Sequence, residues 1–233
     1  MMKYVVVLII FLVALLYAAP WITERVPSRY NPFTPLSVND PPNVITKYKL
    51  RRLDNNPEAC LAVLDSAEQE GAISFTRVTS TQGNCPLQSP VRVQKFGSVS
   101  LSSSFLASCR LALSSAMFVS QVAKPQAETQ LGAGLTRIDH LGSYACRNVY
   151  HRAEGRLSEH ATAEALDVAG FRLTDGRNIT VLKAWKQDDA SGSFIRDMFN
   201  RSCPYFGNSI GPDYNAAHAN HFHLGMRWFG FCR

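Results

Sequence analysis

The sequence predicts an α+β domain, with helices packed around a small antiparallel sheet and one apolar N-terminal helix ahead of it serving as a transmembrane anchor. Three observations carry that reading. Helical patterns dominate the first half of the domain, and short strand-like segments with turn signals dominate the second. The opening stretch "MMKYVVVLIIFLVALLYAAPWITERV" has no charge across residues 4–19. Six cysteines without any C-x-x-C spacing suit an exported chain stapled by disulfides, and argue against a zinc ribbon or a thioredoxin-like redox site.

The apolar opening lies between the ~7–15-residue core of a signal peptide and the ~20 residues of a spanning helix. Bulky Tyr17 near the cleavage position and Trp21 as an interfacial anchor favour an uncleaved membrane anchor over residues 1–22. Signal cleavage followed by release is the alternative, and both readings export the body. Residues 23–50 hold the run "PSRYNPFTPLSVNDPP", with five prolines, and read as an extended spacer. The folded domain is then expected over 51–233.

Within that domain, Asn56 as cap, Pro57 in the first turn and Gly71 as stop predict a helix over 57–69. Short strands are expected at 72–78 and 91–96. A second helix over 104–122 puts Leu106, Cys109, Leu113, Ala116 and Met117 on one face, with Pro125 behind it. Further on, "ALDVAGFRL" and "ITVLKAW" flank "TDGRN", a hairpin signal. "GSFIRDMFNRSC" reads as a short helix and "HFHLGM" as a terminal strand. A Cys203–Cys232 bridge is expected to pin that last strand. The net charge of +6 and pI of about 9.1 suit an anionic matrix. The basic residues form no run and no nucleic-acid motif, so nucleic acid is not an expected partner.

Half of the six histidines fall in "NAAHANHFHLGM". Alternation on a strand puts His221 and His223 on one face and Phe222 and Leu224 on the other. His218 lies three residues before His221. Upstream, "LSEHATAEALDVAGF" carries His160 and Asp167, seven residues apart. Together His160, Asp167 and His223 make a three-ligand set with an open position, the arrangement of catalytic zinc. On residue types alone, a chance grouping of histidines stays open beside the metal site.

"SEHATAEALD" resembles the S-x-H-x-x-G-x-A-x-D signature of zinc D-Ala-D-Ala peptidases of the LAS type. The H-x-x-H-x-H spacing of His218, His221 and His223 is similar to that of penicillin-insensitive murein endopeptidases. "PLSVNDPPNVITKYKLRRLDNNPEAC", "LGSYACR", "SEHATAEALDVAGF" and "GPDYNAAHANHFHL" together resemble the bacterial extensin-like C-terminal domain family, which shares these motifs. The resemblance implies an LAS-type sheet and one zinc ion on His160, Asp167 and His223. It also implies hydrolysis of D-amino-acid-containing peptide bonds of peptidoglycan in the periplasm of a Gram-negative bacterium, where the N-terminal anchor would hold the chain at the inner membrane. A non-catalytic zinc-containing module that binds the cell wall is the alternative. His221 is expected as general base or oxyanion stabiliser, supported by His218. Arg147 is expected at the substrate, and Ser158 beside the ligands. Three positions depart from the pattern: Ala163 replaces a Gly, Glu164 an Asn, and Gly225 an Asp.

Overall fold

The computed structural model describes residues 2–227 and 230–233, apart from the side chains of Leu15, Ala19, Ile22 and Glu24. Helix α1 (Met2–Arg25) has Pro20 within it and exposes Val7, Ile10, Phe11, Leu16 and Trp21. The expectations resting on residue 1 and on the side chains of Ala19 and Ile22 lie outside the described residues. Among the described residues, no helix is long and apolar enough to cross a membrane.

The Pro-rich stretch differs from the extended spacer expected over 23–50. Leu36 and Val38 enter the core, and helix α2 (Val44–Asp54) runs across the expected domain boundary, capped by Asn43 and burying Leu50. Buried Lys49 explains the ordering. Its ammonium donates to Ser28 O at 2.7 Å, Thr34 Oγ1 at 3.1 Å and Pro35 O at 3.2 Å, and faces Asp40 at 3.3 Å. A buried cation needs such acceptors, and here the proline-rich loop supplies them.

Helix α3 (Pro57–Gln69) follows, with the Asn56 side chain accepting from Ala59 N. Strands β1 (Ser74–Arg77), β2 (Val91–Phe96) and β3 (Val99–Ala107) form an antiparallel meander. Part of the helix expected over 104–122 is therefore strand. Val99, Leu101, Phe105 and Ala107 are buried along β3, and the helix begins only after Ser108, whose hydroxyl caps Leu111 N. Helix α4 (Cys109–Phe118) is buried on all sides, so no single apolar stripe marks it. A π-helical turn over Val119–Ala123 leads into α5 (Lys124–Leu131), and Pro125 opens that helix where the sequence had it closing the previous one.

Strand β4 (Leu135–Gly142) runs parallel to β3 and antiparallel to β5 (Ala165–Leu173). The "TDGRN" turn joins β5 to β6 (Asn178–Thr180), but the following residues turn into α6 (Val181–Ala184) rather than extending the strand. Thr180 caps that short helix through its side chain. Helix α7 (Ala190–Ser202) precedes β7 (Asn208–Ile210), β8 (Phe222–Gly225) and β9 (Phe231–Cys232).

Among the described residues the strands form one nine-stranded sheet in the order β1-β2-β3-β4-β5-β8-β7-β9, with β6 paired to β5. The α+β class holds, but the sheet is larger than expected and mixed, since β3/β4 and β7/β9 are parallel. Three disulfides staple it: Cys60–Cys109, Cys85–Cys146 and Cys203–Cys232. The last ties the end of α7 to β9, which reaches the histidine strand only through β7.

Candidate metal centre

The site forms where β8 pairs with β5. Antiparallel register sets His223 directly opposite Asp167, with both side chains on one face, and their Nδ1 and Oδ1 lie 3.0 Å apart. Phe222 points to the other face and packs against Phe199 and Trp185, with ring centroids at 5.3 and 5.9 Å. His160 arrives from a 3₁₀ turn, Glu159–Thr162, just before β5. Its Nε2 lies 3.2 Å from Asp167 Oδ2. The turn starts at Ser158, whose hydroxyl accepts from His160 N at 3.3 Å.

The turn leaves through Ala163 at φ 53° and ψ 36°. This left-handed conformation is the one that favours glycine, which accounts for the Gly of the signature; the Ala here accepts the strain. Glu164, the second departure, faces buried Arg110, which also pairs with Asp54 at 2.7 Å. Glu164 therefore ties the turn to α4 and α2 and does not line the cavity.

Hydrogen bonds fix which ring nitrogen each histidine offers. His160 Nδ1–H donates to Ser143 O at 3.1 Å, leaving Nε2 toward Asp167. His221 Nδ1–H donates to Asn220 Oδ1 and His218 Nδ1–H to Asn215 Oδ1, both at 2.8 Å. His223 is reversed: its Nε2 faces Glu159 Oε2 at 3.3 Å, and its Nδ1 faces Asp167.

The electrostatics follow from burial and these partners. Burial opposes ionisation of Asp167, but hydrogen bonds from His160 and His223 outweigh it and hold the carboxyl far below its usual range. Burial also pushes His223 down, yet Asp167 and Glu159 together raise it to about 9. His218 is lowered to about 4, first by desolvation and then by repulsion from His221 and His223. His221 is lowered as well, mainly by burial, against the pull of Asp167.

A tetrahedral zinc with bonds of ~2.0–2.1 Å sets its ligand atoms about 3.3 Å apart. Ligand atoms of His160, Asp167 and His223 lie within 4.8 Å of one another, and the two His–Asp distances are 3.0 and 3.2 Å. One carboxylate and two imidazoles with a nitrogen turned inward fit a divalent transition metal. The group opens on a cavity of about 540 Å³, whose lining includes Arg147, Ser158, Tyr214, His218 and His221. The ring centroid of His218 lies 5.2 Å from that of His221 and 6.0 Å from that of His223.

All seven sequence-designated residues, His160, Asp167, His223, His221, His218, Arg147 and Ser158, thus meet around one cavity. Asp213 is turned away, since its Oδ1 accepts from Trp185 Nε1 at 2.8 Å, while neighbouring Tyr214 lines the cavity. His140 lies in β4, with its ring against Phe105 and Nε2 at 2.8 Å from Ser103 O. His151 lines the cavity from a 3₁₀ turn.

Sequence reasoning passed over Glu159, which is buried under His223. Its Oε1 accepts from Arg227 N at 2.8 Å and its Oε2 from Asn208 Nδ2 at 3.0 Å. The signal lies in Gly225, the third departure. A Cβ there would stand 2.5 Å from Glu159 Oε1 and 2.8 Å from Asn208 Oδ1. No curated protein and no solved structure matches the chain. The model of one family, described as "Extensin-like protein C-terminus", matches residues 58–233, three quarters of the chain and every residue of the centre, and the chain belongs to that family.

Proposed function

We propose that this protein is a zinc-dependent peptidase that hydrolyses D-amino-acid-containing bonds in peptidoglycan peptides, acting in the periplasm from the inner membrane. The observation that carries the reading is the convergence of His160, Asp167 and His223 at ligand spacing, in an open cavity with two further histidines beside them. A zinc ion held there would polarise a substrate carbonyl and acidify water at the open position. His221 is the general base. Asn220 holds the proton on its Nδ1, so Nε2, 3.6 Å from Asp167 Oδ1, has a lone pair for the proton that water gives up. Burial lowers His221, which keeps it neutral and ready to accept. His218, neutral for the same reason, keeps its Nδ1–H on Asn215 Oδ1 and supports His221 from beside it, with the ring centroids 5.2 Å apart. Arg147 at the cavity wall supplies guanidinium donors for a carboxylate or carbonyl of the substrate.

Exposed apolar side chains along α1 suit attachment to a membrane, although among the described residues no helix is long and apolar enough to cross one, and three disulfides suit an oxidising compartment. A module that only binds the cell wall would need the metal ligands but not a neutral base beside them. Digestion of purified cross-linked muropeptides separates the two. His221→Ala is expected to keep zinc and lose turnover by about 10²–10⁴-fold, whereas His223→Ala loses both. If the zinc-loaded wild type binds sacculi and releases no new peptide termini between about pH 5 and 9, a range spanning the ordinary histidine pKa, the binding module is the correct reading.

A further inference from the structure

The centre holds one charged group to which the proposed chemistry gives no task. Glu159 is 6 % exposed and lies behind His223, on the side away from Asp167. Burying a carboxylate is unfavourable unless its oxygens are well paired, and here both oxygens are engaged. Oε1 takes Arg227 N at 2.8 Å; Oε2 takes Asn208 Nδ2 at 3.0 Å and His223 Nε2 at 3.3 Å. Three separate elements converge on it: β7 through Asn208, β8 through His223, and the segment after β8 through Arg227. Space for it exists only because residue 225 has no side chain, since a Cβ there would lie 2.5 and 2.7 Å from the two carboxylate oxygens. The fold thus brings an acceptor to the one nitrogen of His223 that faces away from the other ligands.

We infer that Glu159 is a positioning residue, which takes the Nε2–H of His223 and so fixes Nδ1 as the nitrogen this ring turns to the metal. The inference rests on the metal reading of His160, Asp167 and His223. His160, His221 and His218 each donate Nδ1–H to a neutral oxygen, of Ser143, Asn220 and Asn215 respectively, and offer Nε2. Of these four, only His223 is reversed, with the Glu159 carboxylate as its outer partner. Such a partner raises the basicity of the coordinating nitrogen and locks the ring plane, and its loss typically lowers metal affinity about 10–100-fold.

Glu159→Gln keeps the shape but not the acceptors. If its amide oxygen faces His223, its NH₂ meets the Arg227 N–H; if the amide is flipped, the NH₂ meets the ring N–H. The experiment uses the full chain and zinc or cobalt ions alone. Competition with a chelator measures affinity, and the cobalt absorption spectrum reports ligand geometry. Long-range ¹H–¹⁵N spectra of the zinc-loaded wild type report the protonation of each His223 nitrogen. The expected results are a bound Nδ1 and protonated Nε2 in the wild type, and about 10–100-fold weaker metal binding with an altered cobalt spectrum in Glu159→Gln. Gly225→Ala, which crowds the carboxylate, should weaken binding in the same direction. A metal-bound His223 Nε2, or a folded Glu159→Gln with wild-type affinity and spectrum, overturns the inference while leaving the metal centre intact. Should Glu159→Gln fail to fold, the wild-type nitrogen assignment still decides. A wild type that binds no metal defeats the metal reading itself.

Discussion

His223 shows how far single-residue chemistry governs this site. With no metal, Asp167 and Glu159 take both ring N–H groups and raise its pKa to about 9. The sign is that of a raised histidine: its contribution to stability is fully present below the unfolded value of ~6.5 and lost as pH rises through about 9. A metal arriving at Nδ1 must displace that proton. Zinc affinity is therefore expected to rise about tenfold per pH unit up to about pH 9 and then level off. Titration calorimetry at pH 7 in buffers of different ionisation enthalpy should register close to one proton released; no proton release would contradict this account. Ala163 is a second residue with a measurable consequence. A left-handed conformation costs an L-residue ~1–2 kcal/mol, and glycine's extra freedom in the unfolded chain offsets ~0.4–1 kcal/mol of that. Removing the fully buried Ala163 methyl costs ~0.8 kcal/mol in turn, so Ala163→Gly is expected to leave stability within about 0.5 kcal/mol of the wild type, measured by urea denaturation, without changing metal affinity.

At the scale of elements, β5 and β8 explain why the site was legible. Alternation assigns the faces of His221, Phe222, His223 and Leu224 from sequence, and the structure buries Phe222 and Leu224 in the core with the histidines at the cavity. Helix α3 was equally readable, because cap, proline and stop all agreed. Other features were hidden for physical reasons. Helix α4 is buried on every side, Arg110, Ser114 and Ser115 included, so its start blurred into the preceding strand, and only the Ser108 cap separates them. Strands β7 and β9 are three and two residues long, too short for any alternation to show. The role of Glu159 depends on a long-range approach to Gly225, 66 positions away in the chain, which no local pattern records. Phe222 gives the test at this scale. Its ring anchors β8 against Phe199 and Trp185, so Phe222→Ala should cost about 3–5 kcal/mol and weaken zinc binding although it touches no ligand. Unfolding and chelator competition on the same variant check both parts; unchanged stability would remove the anchoring role.

On the scale of the whole molecule, the body is fastened to its own N-terminal segment more closely than a tether requires. Lys49 gathers the proline-rich loop, and Gln121 Nε2 donates to Val38 O at 2.6 Å and Asp40 O at 3.0 Å. If α1 is an uncleaved anchor, the domain is held close to the bilayer. Full-length protein is then expected in the membrane fraction, starting at Met1 or Met2, and open to protease in spheroplasts but not in intact cells. A mature N-terminus near Pro20 would instead indicate signal cleavage and a soluble periplasmic protein.

All three scales depend on one claim, that His160, Asp167 and His223 together hold a single metal ion. Elemental analysis of the purified full-length chain beside a His160→Ala, His223→Ala double variant tests it most directly. About one zinc is expected per wild-type chain, as a three-ligand site with one open position would hold, and almost none in the double variant, with the disulfide-stapled fold intact by circular dichroism. Stoichiometric zinc retained in a folded double variant, or a wild type that takes up none, would contradict it.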